Sequence, residues 1–132
     1  SDADYFYKRA IELNPQAWSW WLARANLNRD NHELETALMY YQQAMSLTTD
    51  KASVLYEIAW NYRLMELKVE AIQAIEQALV VSSSPTKWYY LRAGKIYEWA
   101  GEIDNAIDAF GEVIRIDPQD ATAQSALKRL AP

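Results

Sequence analysis

The sequence predicts an all-α fold, built from antiparallel helix pairs stacked in a row. Three observations carry that prediction. Apolar and small residues recur at helical spacing, as in Tyr90, Ala93, Gly94 and Tyr97, or Ala106, Phe110 and Val113. Only three glycines and four prolines are present, and no segment alternates as a strand would. The pattern also returns at a fixed interval: Ala37, Tyr41 and Ala44 follow Ala3, Tyr7 and Ala10 by 34 residues. A period of that length marks a helical repeat.

The chain of 132 residues has the length of about one domain. Its 51% hydrophobic and 23% charged residues are ordinary for a folded protein. The formal charge of −5 argues against a nucleic-acid partner, which needs a basic stripe. No run of about 18 apolar residues exists, so no membrane insertion is expected. No basic start followed by an apolar block marks a signal peptide. The absence of cysteine excludes disulfides and thiolate metal sites and leaves the compartment open, cytoplasm and periplasm alike. Six tryptophans and nine tyrosines exceed what packing alone asks of so short a chain.

Residues 1–15 read as the second helix of a truncated repeat, with Ala3, Tyr7 and Ala10 facing inward and Pro15 at its end. An orphan helix exposes an apolar face that soluble monomers avoid. The expectation is a fragment of a longer array, or an open N-terminal face that self-associates. Residues 16–50 hold the first complete repeat: a helix over 17–29, a turn at Asp30, Asn31 and His32, and a second helix from Leu34 to Leu47. Two registers fit the helix at 17–29. The ungapped one buries Trp21 and Ala25 together with Arg24 and Asn28. A slip of one residue buries Trp20, Ala23 and Leu27 instead.

Residues 51–85 form the next repeat, with Leu55, Ile58, Ala59 and Tyr62 on one helix and Ala71, Ile75 and Ala78 on the other. Its turn near Glu66 has no glycine. One extra residue falls in Ser82–Thr86, where a serine N-cap and a proline in the first turn suit a helix start. Residues 86–120 are the third repeat. Residues 121–132 form a capping helix, with Leu127 and Leu130 inward and Gln124, Lys128 and Arg129 outward.

The stretch from Lys87 to Pro118, WYYLRAGKIYEWAGEIDNAIDAFGEVIRIDP after the lysine, resembles the tetratricopeptide repeat. Large, small, aromatic, alanine, aromatic and late proline residues stand at that family's places, and the resemblance extends over nearly the whole chain. It implies a right-handed α–α superhelix in which each first helix lines a concave groove and each second helix forms the back. It also implies a non-enzymatic scaffold that holds a partner protein in the groove. The groove positions include Asn26, Arg29, Tyr56, Trp60, Arg63, Trp88, Leu91, Arg92, Lys95 and Trp99. Tyr56, Trp60, Trp88 and Trp99 place aromatic faces there without evident structural need. Arg29, Arg63, Arg92, Lys95 and Arg129 place positive charge along the same wall. Aromatic residues with arginine are the composition of binding hot spots, and a cationic cleft draws acidic segments.

A known branch of the family grips chaperone C-termini with lysines, asparagines and an arginine. Asn26 and Arg92 match two of those places. Leu22 and Trp88 replace the lysines and Glu57 the middle asparagine, so that ligand is not expected. Arrays of the family also occur beside bacterial polysaccharide machinery, and aromatic platforms with cations would suit an anionic sugar chain.

Catalytic and metal readings find no support in the residues. His32 is the only histidine and sits in a turn without partner ligands. Carboxylate pairs such as Glu66/Glu70 and Asp104/Asp108 are solvated helix faces. No phosphate-binding glycine loop and no activated nucleophile is present, and no cofactor is expected.

Overall fold

The computed structural model covers residues 1–132 and is entirely helical. The helices are α1 (Asp2–Leu13), α2 (Trp18–Asp30), α3 (Leu34–Leu47), α4 (Lys51–Leu64), α5 (Lys68–Val81), α6 (Lys87–Ala100), α7 (Ile103–Ile116) and α8 (Ala121–Leu130). The closest packing is within the pairs α2/α3, α4/α5 and α6/α7, and each pair leans on the next. One continuous core runs through the stack from Ala25 to Ala126. No helix is long and apolar enough to cross a membrane.

Small residues set the spacing inside each pair. Ala25, Ala59 and Ala93 on the first helices are fully buried, as are Ala37, Ala71 and Ala106 on the second. A methyl side chain lets neighbouring helix axes approach, and larger residues fill the remaining space. Tyr41, Ile75 and Phe110 do so at one position of successive pairs.

The turns within the pairs share one backbone device. The amides of Glu33, Leu67 and Glu102 donate to the carbonyls of Asn28, Tyr62 and Tyr97, five residues back. The residue before each of those amides has a left-handed backbone: His32 at φ 63°, Glu66 at φ 62° and Gly101 at φ 85°. This is the helix-ending geometry that normally recruits glycine, and only the third turn has it.

Helix α2 adopts the ungapped register. Ala25 and Asn28 are buried, while Trp21 packs on the core and anchors its indole N–H to the Pro15 carbonyl at 2.9 Å. The polar residues brought inward find partners only in part, since Arg24 Nε and Asn28 Oδ1 make no hydrogen bond. The Arg24 guanidinium lies 4.6 Å from the Tyr40 ring and 3.5 Å from Asp4, and Asn28 donates to Glu33 at 3.4 Å.

Three expectations need correction. In α1 Ala3 is exposed, while Tyr7 and Ala10 are half-buried beside the buried Ile11, so the expected stripe faces inward only from Tyr7 onward. Leu91 points into the core rather than lying open on the groove wall. The α6 start has no serine cap: its N-cap is Thr86, which makes no side-chain cap bond, and Pro85 precedes the helix. That end is held from outside by Lys87, whose ammonium donates to Asp117 at 2.7 Å and to Asp120 at 3.0 Å. The Lys87 bond holds the Asp117 carboxyl below the ordinary range. The Ala123 amide at the start of α8, followed by Lys87, does the same for Asp120.

Candidate functional site

The first helices of the pairs are linked along one wall by their charged side chains. Arg29 on α2 donates to Glu57 on α4 at 2.7 Å, and Arg92 on α6 donates to the other oxygen of Glu57 at 3.2 Å. Farther along, Arg129 on α8 makes a bidentate contact with Glu98 on α6, its shortest bond being 2.7 Å. All three members of the first group are largely buried, with 13%, 16% and 19% of the Arg29, Glu57 and Arg92 side chains exposed. Burial alone would lower the pKa of Arg29, but Tyr41, Glu57 and Asp30 outweigh it and raise it.

Six of the ten groove positions named from the sequence converge on one cleft of about 230 Å³ between α4, α6 and the start of α8. Tyr56 and Trp60, one turn apart on α4, form one side; Trp88, Arg92 and Lys95 on α6 form the other, above Leu91. Arg92 is fixed from three directions. Its guanidinium lies 3.8 Å from the Tyr56 ring centre and 5.2 Å from that of Trp60, and one nitrogen donates to both the Tyr56 carbonyl and Glu57. Such stacking combined with ion pairing sets an arginine plane in one orientation. Burial pushes the Tyr56 phenol upward against the pull of Arg92, so the hydroxyl stays protonated well past neutral pH.

Two residues of the cleft are unlike the others. Trp88 is 59% exposed, the most open of the expected groove aromatics, with only the Lys87 ammonium 5.0 Å from its ring. Lys95 is exposed and makes no hydrogen bond or ion pair. Tyr56 and Trp60 are half-buried against the core, so part of their aromatic surface has a packing role that the sequence reading did not assign to it.

The remaining expected residues lie apart from the cleft. Asn26 accepts a 2.6 Å bond from the Tyr41 hydroxyl. Arg63 stacks on Trp99, 4.4 Å from the ring centre, so each covers the other, and Trp99 also packs on the core. Arg29 reaches the cleft only through Glu57. Sequence reasoning named Glu57 as a departure from an asparagine but missed that it is the counter-ion of both arginines. Opposite charges at groove positions of successive repeats were the available signal. No group of three or more His, Asp or Glu side chains is placed to hold a metal ion.

The sequence profile described as tetratricopeptide repeat matches residues 89–120. Among curated proteins, the general transcriptional corepressor ssn6 of Schizosaccharomyces pombe is 25% identical over 115 residues, covering 85% of this chain and 10% of that protein. The chain thus spans about a tenth of the length of the curated relatives it matches. Among solved structures, YrrB, described as a tetratricopeptide-repeat protein with an unusual peptide-binding site, superposes with a TM-score of 0.79 at 22% identity, over 95% of this chain and 66% of that one. The Cut9–Hcn1 hetero-tetramer of the APC/C gives a TM-score of 0.86 at 19% identity, over 97% of this chain and 26% of that one. These likenesses show the fold: a right-handed solenoid of antiparallel helix pairs.

Proposed function

We propose that this chain, which has the fold of tetratricopeptide-repeat arrays, is a non-enzymatic protein–protein interaction scaffold. Its cleft of Tyr56, Trp60, Trp88, Arg92 and Lys95 holds a segment of a partner protein. The observation that carries the reading is the pairing of Trp88 and Lys95. A wide-open indole and an unpaired ammonium share one concave site whose other members are fixed by packing and ion pairs. Large aromatic residues and fixed arginines dominate binding energy at interfaces because they bury much area with little entropy to lose. YrrB, by its description, has a peptide-binding site on the same fold. Arg63 with Trp99, and Asn26 with Tyr41, support the wall from either side.

Selection of peptides from a random display library tests this reading. Selected peptides should bind the wild-type chain and lose about 2 kcal/mol or more on Trp88→Ala. Lys95→Gln should weaken those that carry a carboxylate. Peptides that bind both variants as well as the wild type would show that the cleft is not the site.

A further inference from the structure

The polar groups left open in this cleft are nearly all hydrogen-bond donors. The indole N–H groups of Trp60 and Trp88 have no protein partner, in contrast to that of Trp21, which is bound to Pro15. Arg92 uses only Nη1, on the Tyr56 carbonyl and Glu57, so Nε and Nη2 are unpartnered and not buried. Lys95 adds a free ammonium, and the Tyr56 hydroxyl is likewise unbonded. Acceptors are scarce. Glu57 is occupied by two arginines, and Asp120 at the edge receives Lys87 and the Ala123 amide. Two hydroxyls, those of Tyr56 and of Thr122 at the rim, are free to do either.

A cleft of this kind selects against its own polarity. An ordinary extended peptide brings one N–H for every carbonyl, and N–H groups turned toward indole, guanidinium and ammonium donors would lose their water without replacement. Proline is the one residue that offers a carbonyl without an N–H. Its segments are already extended in the polyproline II conformation, and their rings pack on aromatic faces. A sugar chain fits less well, because each hydroxyl it brings is also a donor in need of an acceptor. We propose that the cleft is a seat for a proline-rich segment in the polyproline II conformation, with its carbonyls on the indole and guanidinium donors and an acidic residue over Lys95. This rests on the scaffold reading above and names the chemistry of the segment that the scaffold holds.

The test follows the indole N–H signals of the full chain by NMR while end-blocked peptides are added. A Pro-Pro-Glu repeat peptide should move the signals of Trp60 and Trp88 and bind about tenfold or more tightly than its Ala-Ala-Glu counterpart, because the proline chain is preorganised. A Pro-Pro-Lys peptide should bind about tenfold less tightly, since it brings like charge to Lys95. Trp88→Ala and Lys95→Gln, both at exposed positions, should remove those differences while circular dichroism stays unchanged. Equal binding of the proline and alanine peptides, stronger binding of an anionic oligosaccharide at the same signals, or silence from the Pro-Pro-Glu peptide would each overturn the proposal. The two readings fail separately. Display-selected peptides that need Trp88 but lack proline would refute the proline seat alone, and peptides indifferent to Trp88 and Lys95 would refute the scaffold cleft itself.

Discussion

The ring of Phe110 on α7 lies directly over Gly94 on α6, so close that a Cβ added at Gly94 would sit 2.7 Å from the ring Cζ. Phe110 is buried to 1% exposure and cannot swing into solvent. Gly94→Ala is therefore expected to destabilise the chain. Overpacking costs about 1–3 kcal/mol, against roughly 1 kcal/mol regained from helix propensity. Gly111 lies in the same helix pair with open space around it. Gly111→Ala should stabilise by about 0.5–1 kcal/mol. Urea denaturation of both variants gives the opposite signs directly, and in a Phe110→Leu background the Gly94→Ala penalty should shrink while the Gly111→Ala gain stays the same.

The left-handed turn residues form a second matched set. His32 and Glu66 hold positive φ with a side chain, and Gly101 holds it without one. His32→Gly and Glu66→Gly should each stabilise by about 0.5–1 kcal/mol, the strain relieved exceeding the freedom gained by the unfolded chain. Gly101→Ala should cost about 1 kcal/mol. Thermal unfolding checks all three, and a loss of stability in both glycine variants would contradict the strain argument.

Removal of the Glu57 charge should cost more than removal of an ordinary surface carboxylate. Glu57→Gln leaves Arg29 and Arg92 facing each other with little solvent to separate them. A loss of about 1–3 kcal/mol is expected, reduced because all three side chains keep some water contact. Added salt should recover part of it in the variant by screening the arginine–arginine repulsion. A salt-independent loss would point to packing instead.

Alkaline pH should unfold the chain through two phenols. Burial raises the pKa of Tyr41, and burial together with the 2.6 Å bond to Glu76 raises that of Tyr97. A phenol protonated in the fold but ionised in the unfolded chain favours unfolding once pH passes about 10, the ordinary tyrosine value. As far as these phenols are concerned, stability should therefore be level from neutral pH up to that value and fall above it. Tyr97→Phe should remove part of the slope while lowering stability at neutral pH through the lost bond. Circular dichroism with pH, beside the tyrosinate absorbance, measures both.

The fold was legible because its spacing is written in small residues. Ala37, Ala71 and Ala106, or Tyr41, Ile75 and Phe110, are fixed by how closely two helices approach, and each returns at nearly the same interval with its burial intact. Helix α2 was harder to read, since Arg24 and Asn28 interrupt the apolar stripe and find their partners, Tyr40 and Glu33, on neighbouring segments. The cleft was legible as a list of wall positions and no further. Whether Arg92 stands free or is held by Glu57 and Tyr56 depends on the angle between α4 and α6, which no periodicity encodes. Trp99 and Trp88 read alike in the sequence. They differ in that Trp99 packs on the core and is covered by Arg63, while Trp88 stands open.

Glu57 takes one oxygen to Arg29 and the other to Arg92. Arrays whose seams are independent peel from an end, one unit after another, because each unit answers only to its neighbour. Here the seam between the first and second pairs and the seam between the second and third close on a single side chain. Loosening either one leaves Glu57 paired with the remaining arginine, whereas moving Glu57 itself uncovers both arginines at once. The second pair is thus tied to both of its neighbours through one carboxylate, a point where two seams share a single fastening.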